Sequence, residues 1–409
     1  MTKNTQNYDF IIVGGGIVGL TVAHRLISLY PKLKIAILEK ESKLGIHASG
    51  RNSGVLHSGI YYASDTLKAS MCAQGAARML AFAHEKNIPY KQLGKVIVAT
   101  TKEEKSLLSK LLDNAKNNKI EATLLDEKEI KKHEPYAHAP FGGIYCPSTA
   151  VIDSKAVLNS LENSLIAKGV KFHFNSPVMT INSTQQQLFA GTNSTPYIYG
   201  HLFNCAGTQA VKLAQYFDIA QEYALLPFKG LYYKIKPEKD YMIRSNIYPV
   251  PDPALPFLGV HLTRLVTGEV YVGPTVIPAF GQENYGLFNN INLVEAANIV
   301  TFLSKLLLHN KHNFRQLVST EVKKYLKPYF VKAARKLLPC LTSDDLIKSN
   351  KVGIRPQLVN TKTISLETDF ILKNAHASTH VLNAISPAFT CSLAFADVII
   401  DKANLATPL

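Results

Sequence analysis

The chain has 409 residues, with 45 Lys and Arg against 30 Asp and Glu, five Cys and no Trp. At 46% hydrophobic and 18% charged it is neither disordered nor fibrous, and its length suits two or three domains around a large core. The formal net charge of +15 fits acidic metabolites or an anionic membrane surface as partners; the lysines are dispersed and no nucleic-acid motif accompanies them, so no nucleic-acid partner is expected.

Cys72, Cys146, Cys205, Cys340 and Cys391 are scattered and form no CxxC pair, which argues against a disulfide framework or a zinc ribbon and for a reducing compartment. No metal site is expected, because the His and Cys residues lack zinc-type spacing. Residues Met1 to Asp9 are polar, without the apolar core of a secretion signal, and no apolar run approaches the ~20 residues of a spanning helix. The expectation is a cytoplasmic protein, at most peripheral on the inner face of a membrane.

The first element is the apolar run Phe10-Ile11-Ile12-Val13, which reads as a buried parallel strand. It leads into Gly14-Gly15-Gly16-Ile17-Val18-Gly19, a helical stretch to about Tyr30 stopped by Pro31, and a second strand from Lys34 to Leu38 ending at Glu39. Strand, glycines, helix, strand and acid fall in the register of a dinucleotide-binding βαβ unit. In that unit Gly14 makes the tight turn, Gly16 admits a pyrophosphate close to the backbone, and Gly19 lets helix and strand pack closely. Glu39 is placed to accept from ribose hydroxyls. FAD is favoured over NAD because the unit opens a chain too long for a bare nucleotide-binding domain. Residues 49–62, Ser-Gly-Arg-Asn-Ser-Gly-Val-Leu-His-Ser-Gly-Ile-Tyr-Tyr, then form a second glycine-rich loop suited to lie against a flat ligand.

Tyr90–Thr100 reads as a strand, 102–117 as a Lys-rich helix, and Asn118–Gly143, with Pro135 and Pro140, as a connecting excursion. Asp153 caps a helix that ends at Gly169. Lys171–Val178 reads as a strand, 179–204 as a small meander, and Cys205-Ala206-Gly207 as a turn at a helix start. From Leu225 to Pro278 four or five strand-like runs predict a large sheet, covered by two or three helices over 292–337 that are interrupted at Pro328. Val352–Leu372, His380–Ile385 and a helix after Pro387 complete the chain. The predicted fold is α/β: a discontinuous Rossmann-like domain (1–88, 145–220 and 346–409) and a second domain on a large, mostly antiparallel sheet (89–144 and 221–345).

Several segments together resemble a known family. Gly14–Gly19, Glu39-Lys40, Asn52-Ser53-Gly54-Val55-Leu56-His57-Ser58-Gly59 with Tyr61-Tyr62, and Asn204-Cys205-Ala206-Gly207 are similar to FAD-dependent oxidoreductases of the D-amino-acid-oxidase type. Pro227-Phe228-Lys229-Gly230, Tyr248-Pro249-Val250-Pro251-Asp252-Pro253, Phe257 to Arg264, His380 to Asn383 and Ser386-Pro387-Ala388 narrow the resemblance to the L-2-hydroxyglutarate dehydrogenase/oxidase family. Leu231, Arg51 and Pro356 depart from the family's usual residues. The resemblance implies non-metal redox chemistry on FAD, oxidising L-2-hydroxyglutarate to 2-oxoglutarate and passing electrons to a quinone, another acceptor or oxygen. An amino-acid or glycerol-3-phosphate oxidase and a non-catalytic flavin-binding protein are the alternatives.

It also implies which residues meet the cofactor: Gly14, Gly16, Gly19, Glu39, Lys40, Asn52, Ser53, Gly54, Val178, Ala206, Gly207 and Ser386. A base near neutrality for the hydroxyl proton is best supplied by His, and His57, His261 and His380 stand in segments expected to face the flavin. A dicarboxylate needs two cations, for which Arg355 (C1 carboxylate) and Arg264 (distal carboxylate) are the candidates because the guanidinium fork matches a carboxylate. Tyr61, Tyr62 and Tyr271 are candidates to line the substrate pocket, with Lys229 as a third cation.

Overall fold

The computed structural model describes residues 6–192, 195–253, 255, 257–286 and 289–405. The strand Gln6–Val13 lies between Ile35–Leu38 and Tyr197–Asn204, parallel to both. Lys171–His173 extends this sheet beyond Ile35–Leu38, and Ser378–Val381 joins Tyr197–Asn204, again in parallel. Both faces are covered, which is why the central strand is apolar without alternation. Phe10 and Ile12 pack into a core with the helices Ile17–Leu29, Leu67–Glu85 and Ala388–Lys402, while Ile11 and Val13 pack on the other face with Tyr197, Tyr199 and Leu213.

A second sheet is built on the long antiparallel pair Tyr223–Ile235 and Leu346–Asn360, paired from Tyr223↔Asn360 to Ile235↔Leu346 with a register shift between Leu231 and Tyr233. It continues through Val270–Gly273, His261–Arg264 and Asn246–Pro249 to Lys95–Val98, Gly143–Cys146 and Thr123–Leu125. Asn246–Pro249 and Lys95–Val98 run parallel. A small sheet of Val55–Leu56, Ala150–Ile152 and Tyr90–Lys91 completes the strands named here. No helix among the described residues is long and apolar enough to cross a membrane.

Three expectations are corrected. The strand Leu346–Asn360 lies in the large sheet, so the chain returns to the nucleotide-binding sheet only with Leu372–Ala375 and Ser378–Val381. A Val- and Ile-containing run does not reveal its partner strand; register with Tyr223–Ile235 decides it. The 118–143 excursion holds the strand Thr123–Leu125 and the helix Glu127–His133, whose reciprocal cap between Asp126 and Glu129 was present in the sequence. Pro328 opens the helix Lys327–Arg335 instead of interrupting one, since its missing N–H costs nothing in a first turn.

Candidate active site

A cavity of ≈ 950 Å³ extends from the Gly14–Val18 turn, across the glycine-rich loop, to the end of the large sheet. Its nucleotide half is built by backbone. Gly14 has φ +106°, a conformation side chains resist, and a Cβ there would stand 2.5 Å from the Cys205 carbonyl oxygen. Gly19 packs against the same turn: a Cβ would lie 2.0 Å from the Gly14 oxygen. These contacts seat the N-terminal turn of helix Ile17–Leu29 against Cys205-Ala206-Gly207, with Gly14, Gly16, Ala206 and Gly207 in the cavity wall. The Glu39 carboxylate accepts from Gly15 N (2.8 Å) and Glu41 N (3.0 Å), which aims it into the cavity with lone pairs to spare for two hydroxyls. Ser49 Oγ accepts from Ile17 N at 2.9 Å, tying the glycine-rich loop to the start of the helix.

Val178, Asn52, Ser53 and Ser386 also line the cavity. Asn52 folds its own loop, donating to the Ser49 carbonyl (2.7 Å) and accepting from Gly54 N (2.8 Å). Gly54 itself stands behind the wall, where its missing side chain lets the chain pass the Ile152 carbonyl. Lys40 reaches the wall but is ion-paired with Glu41 and Glu283, and His47 bridges Glu41 and the Tyr285 hydroxyl at 2.8 Å each. A glycine turn of this shape, a helix N-terminus, a carboxylate one strand away and a long apolar-walled cavity fit FAD.

The other half of the cavity gathers His57, His261, Arg355, Lys68, Tyr61, Tyr62 and Tyr232. His57 follows the strand Val55–Leu56, its N–H held by Thr390 Oγ1 (3.2 Å) at the start of helix Ala388–Lys402. His261 opens its strand; its Nδ1 lies 2.9 Å from the Gly259 carbonyl, and its ring meets Tyr248 edge-on at 4.1 Å. In the neutral ring Nδ1 is therefore the donor, leaving Nε2 as a free acceptor. Arg355 stands opposite Phe228 in the long strand pair, its guanidinium 5.1 Å from the Phe257 ring and in no ion pair among the described residues. The Lys68 amine donates to the Thr368 carbonyl and lies 5.7 Å from the Tyr62 ring. Behind Tyr61 the Lys95 amine sits 4.5 Å from that ring and 5.3 Å from Tyr248, fully buried and without a hydrogen-bond partner among the described residues.

Four sequence candidates lie elsewhere. Arg264 is three positions along the strand from His261 and so on the opposite face; its guanidinium donates to the Asp240 and Ile243 carbonyls, 2.7 Å each. His380 is fully buried in the nucleotide-binding sheet, its nitrogens 3.0 Å from Asn204 Nδ2 and Ser378 Oγ. Tyr271 stacks edge-on against Tyr232 with the Lys351 amine 5.0 Å above it, and Tyr232 is the ring that reaches the cavity. Lys229 holds Asn284 Oδ1 (2.8 Å) and the Gly286 carbonyl, outside the wall. Sequence reasoning in turn missed Lys68, Tyr232, Ser49 and Lys95. A lone Lys in a helix's first turn reads as solvent-exposed, and nothing in its spacing says otherwise.

Electrostatics at this end are one-sided. Glu39 and Glu41, at the nucleotide end, are the only acids among the described lining residues. Burial pushes His57 down to about 3, helped by the Lys95, His261 and Arg355 charges; burial and the Arg355 and Lys95 charges likewise hold His261 at about 3 despite the Gly259 carbonyl. Both imidazoles are neutral near pH 7, each with one unprotonated ring nitrogen. Since the unfolded chain binds these protons near pH 6.5 and the folded one near 3, stability falls as pH drops through that window, by about 1.4 kcal/mol per pH unit for each histidine. His201 and His380, pushed to about 4 chiefly by burial, add to the loss. Urea midpoints should therefore decline steadily from about pH 6.5 to about pH 4.5; a flat profile would show that the imidazoles are not held neutral.

The family model "FAD dependent oxidoreductase" matches residues 9–402. Relatives named L-2-hydroxyglutarate dehydrogenase include that of Indibacter alkaliphilus, 35% identical over 97% of this chain and 99% of its own length, and the mitochondrial protein of Homo sapiens, 34% identical over 98% and 89%. The relative from Escherichia coli strain K12 is 32% identical over 97% and 93%. Among solved structures, L-alpha-glycerophosphate oxidase from Mycoplasma pneumoniae with FAD bound superposes with a TM-score of 0.79 at 22% identity, over 98% of this chain and 96% of that one. Coverage of the relatives is nearly end to end, and the cavity's glycine turn, acid and loop are the parts a flavin enzyme needs. The chain belongs to the FAD-dependent oxidoreductases, within the group of L-2-hydroxyglutarate dehydrogenase relatives.

Proposed function

We propose that this enzyme oxidises L-2-hydroxyglutarate to 2-oxoglutarate. The observation that carries the reading is the pairing of two cations, Arg355 and Lys68, with two neutral imidazoles in a pocket end that no acidic side chain among the described residues lines. The relatives named for this reaction support it. Arg355 suits the C1 carboxylate, and Lys68, in place of Arg264, the distal one. His261 is the favoured acceptor for the C2 hydroxyl proton, because the Gly259 carbonyl commits Nδ1 and leaves Nε2 unprotonated. FAD, when bound, supplies the acceptor for the hydrogen and electron pair that leave C2. Tyr61, Tyr62 and Tyr232 close the pocket against water and orient the chain of the substrate.

The lining disfavours an amino-acid substrate, whose ammonium group would meet Arg355 and Lys68 with no carboxylate to receive it. Glycerol 3-phosphate, also an anion, is the stronger competitor. Anaerobic bleaching of the yellow enzyme separates the three. L-2-Hydroxyglutarate should bleach it fastest, and His261→Asn should slow that bleaching more than His57→Asn while the flavin stays bound. Faster bleaching by glycerol 3-phosphate or by an amino acid would overturn the reading. Reoxidation of the bleached enzyme by a quinone analogue or by oxygen identifies the acceptor.

A further inference from the structure

Residues 281–286, between the strand Ile277–Pro278 and the helix Leu293–His309, read Gly-Gln-Glu-Asn-Tyr-Gly and leave the large sheet to reach the nucleotide-binding domain. Their root is fixed in the large sheet. Lys229, on the strand Tyr223–Ile235, is buried and donates to Asn284 Oδ1 (2.8 Å) and to the Gly286 carbonyl. Asn284, also buried, donates to the Asn289 carbonyl at 2.8 Å. An ammonium out of water is costly unless its donors are used, and these are committed to the shape of the segment.

The other side chains of the segment grip the nucleotide-binding domain. Gln282 accepts from Gln209 Nε2 (2.7 Å), Glu283 is ion-paired with Lys40, and the Tyr285 hydroxyl meets His47 Nδ1 (2.8 Å). The Tyr285 ring stacks at 25° to the His47 imidazole and has the Arg51 guanidinium 4.0 Å from its centre. Arg51 is itself held by the Ile46 and Val352 carbonyls, at 2.5 and 3.3 Å. Strand order says what these grips span. Gln209 follows Tyr197–Asn204, Lys40 follows Ile35–Leu38, and Gln6–Val13 lies between those two strands and ends at the Gly14 turn. A segment tied to Gln209 on one side and to Lys40 on the other therefore crosses over the turn where the cavity receives a dinucleotide. Lys40, His47, Arg51, Gln209 and Tyr285 all line that cavity.

We propose that residues 282–285 are a strap across the FAD cavity, and that the cofactor enters and leaves only when the strap lifts. This goes beyond the function above and needs only FAD as the cofactor, whichever acid is oxidised. The grips join protein to protein, so they hold the strap shut with or without FAD. Weakening them raises the rates of FAD entry and release by the same factor and leaves the dissociation constant unchanged. A segment that merely touched the cofactor would govern release alone. Lys229 is a positioning residue in this device, acting on the cofactor through Asn284 and Gly286. Arg51, a departure from the residue usual in the family, contributes its stack on Tyr285.

The test follows flavin fluorescence during FAD uptake by the flavin-free full chain and during release from the loaded one, with no substrate present. Gln282→Ala with Glu283→Gln removes two grips, and neither side chain is in the cavity wall. This variant should speed uptake and release alike, on the order of ten-fold, and keep the wild-type dissociation constant. Its bleaching at saturating FAD should match the wild type. Glu283→Gln alone should speed both by up to about five-fold and blunt the acceleration of release that salt gives the wild type. Gln209→Cys with Gln282→Cys can lock the strap by a disulfide formed with diamide, in a Cys340→Ser background because Cys340 is exposed. Oxidised before loading, that protein should refuse FAD; oxidised after loading, it should retain FAD until a thiol reductant is added. Faster release with unchanged uptake, wild-type rates in the double variant, or FAD uptake by the locked flavin-free protein at the rate of the reduced one overturns the proposal.

Discussion

Arg355→Leu is expected to lower kcat/KM for L-2-hydroxyglutarate by about 30- to several-thousand-fold, with FAD content unchanged. A substrate carboxylate in this pocket has been taken out of water, and removing its partner leaves it unpaired, a loss of ~2–5 kcal/mol. The guanidinium is half-buried, forms no ion pair among the described residues and is flanked by Tyr62 and Tyr232. L-Lactate, which shares the C1 carboxylate, should lose as much. Lys68→Met should act differently, weakening the dicarboxylate alone by about ten- to 150-fold and narrowing the gap to lactate, since a charge-assisted contact is worth ~1.5–3 kcal/mol. The wild type contains its own control. Burial and the Arg355 charge push the Lys68 amine down to about 8, so its charge is lost as pH rises through that value. The preference for the dicarboxylate should shrink above it in the wild type and be pH-independent in Lys68→Met. Steady-state kinetics with both acids across pH decides; Arg355→Leu kinetics like the wild type for both substrates would remove that residue from the site.

Gly14→Val should yield protein without flavin. The substitution forces a β-branched residue to φ +106°, at about 1–3 kcal/mol of strain, and drives its Cβ into the Cys205 carbonyl 2.5 Å away, at ~1–3 kcal/mol more. The clash is with protein, so the turn moves before any ligand arrives, and a lower thermal midpoint should accompany the loss of colour. Gly16→Ala separates folding from cofactor binding. A Cβ at Gly16 meets only the Ser49 hydroxyl, at 3.1 Å, on the cavity side. That variant should fold with a near-native midpoint and bind FAD about ten-fold more weakly, as overpacking of ~1–3 kcal/mol in the ligand's path implies. Absorbance at the flavin band after desalting reads both outcomes, and a fully loaded Gly14→Val would contradict the assignment of the turn.

How much of the site was legible in the sequence depended on how local its geometry is. The nucleotide half was legible because each part constrains its neighbours along the chain. A strand, three spaced glycines, a helix and an acid form a unit whose contacts lie within some thirty residues, and Asn52 shapes the loop two residues from itself. His57 and Arg355, an imidazole in a glycine-rich loop and a fork-shaped cation in a strand, were legible as cavity residues through residue type and context.

Facing direction was not legible. His261 and Arg264 share one strand, and whether a residue points into the cavity turns on the sheet's period of two and on which face the nucleotide domain covers. His380 looked like a flavin neighbour by segment, yet its strand carries it inside the sheet beside Asn204. Lys68 stands in no motif, and its helix is docked by Asp369, some three hundred residues away, which accepts from the helix's first amides. The sequence by itself determined the cofactor class and the two-sheet architecture. Tertiary structure alone decided which cations and imidazoles meet there, because strand register and helix docking are long-range and leave no periodic trace in the residues they orient.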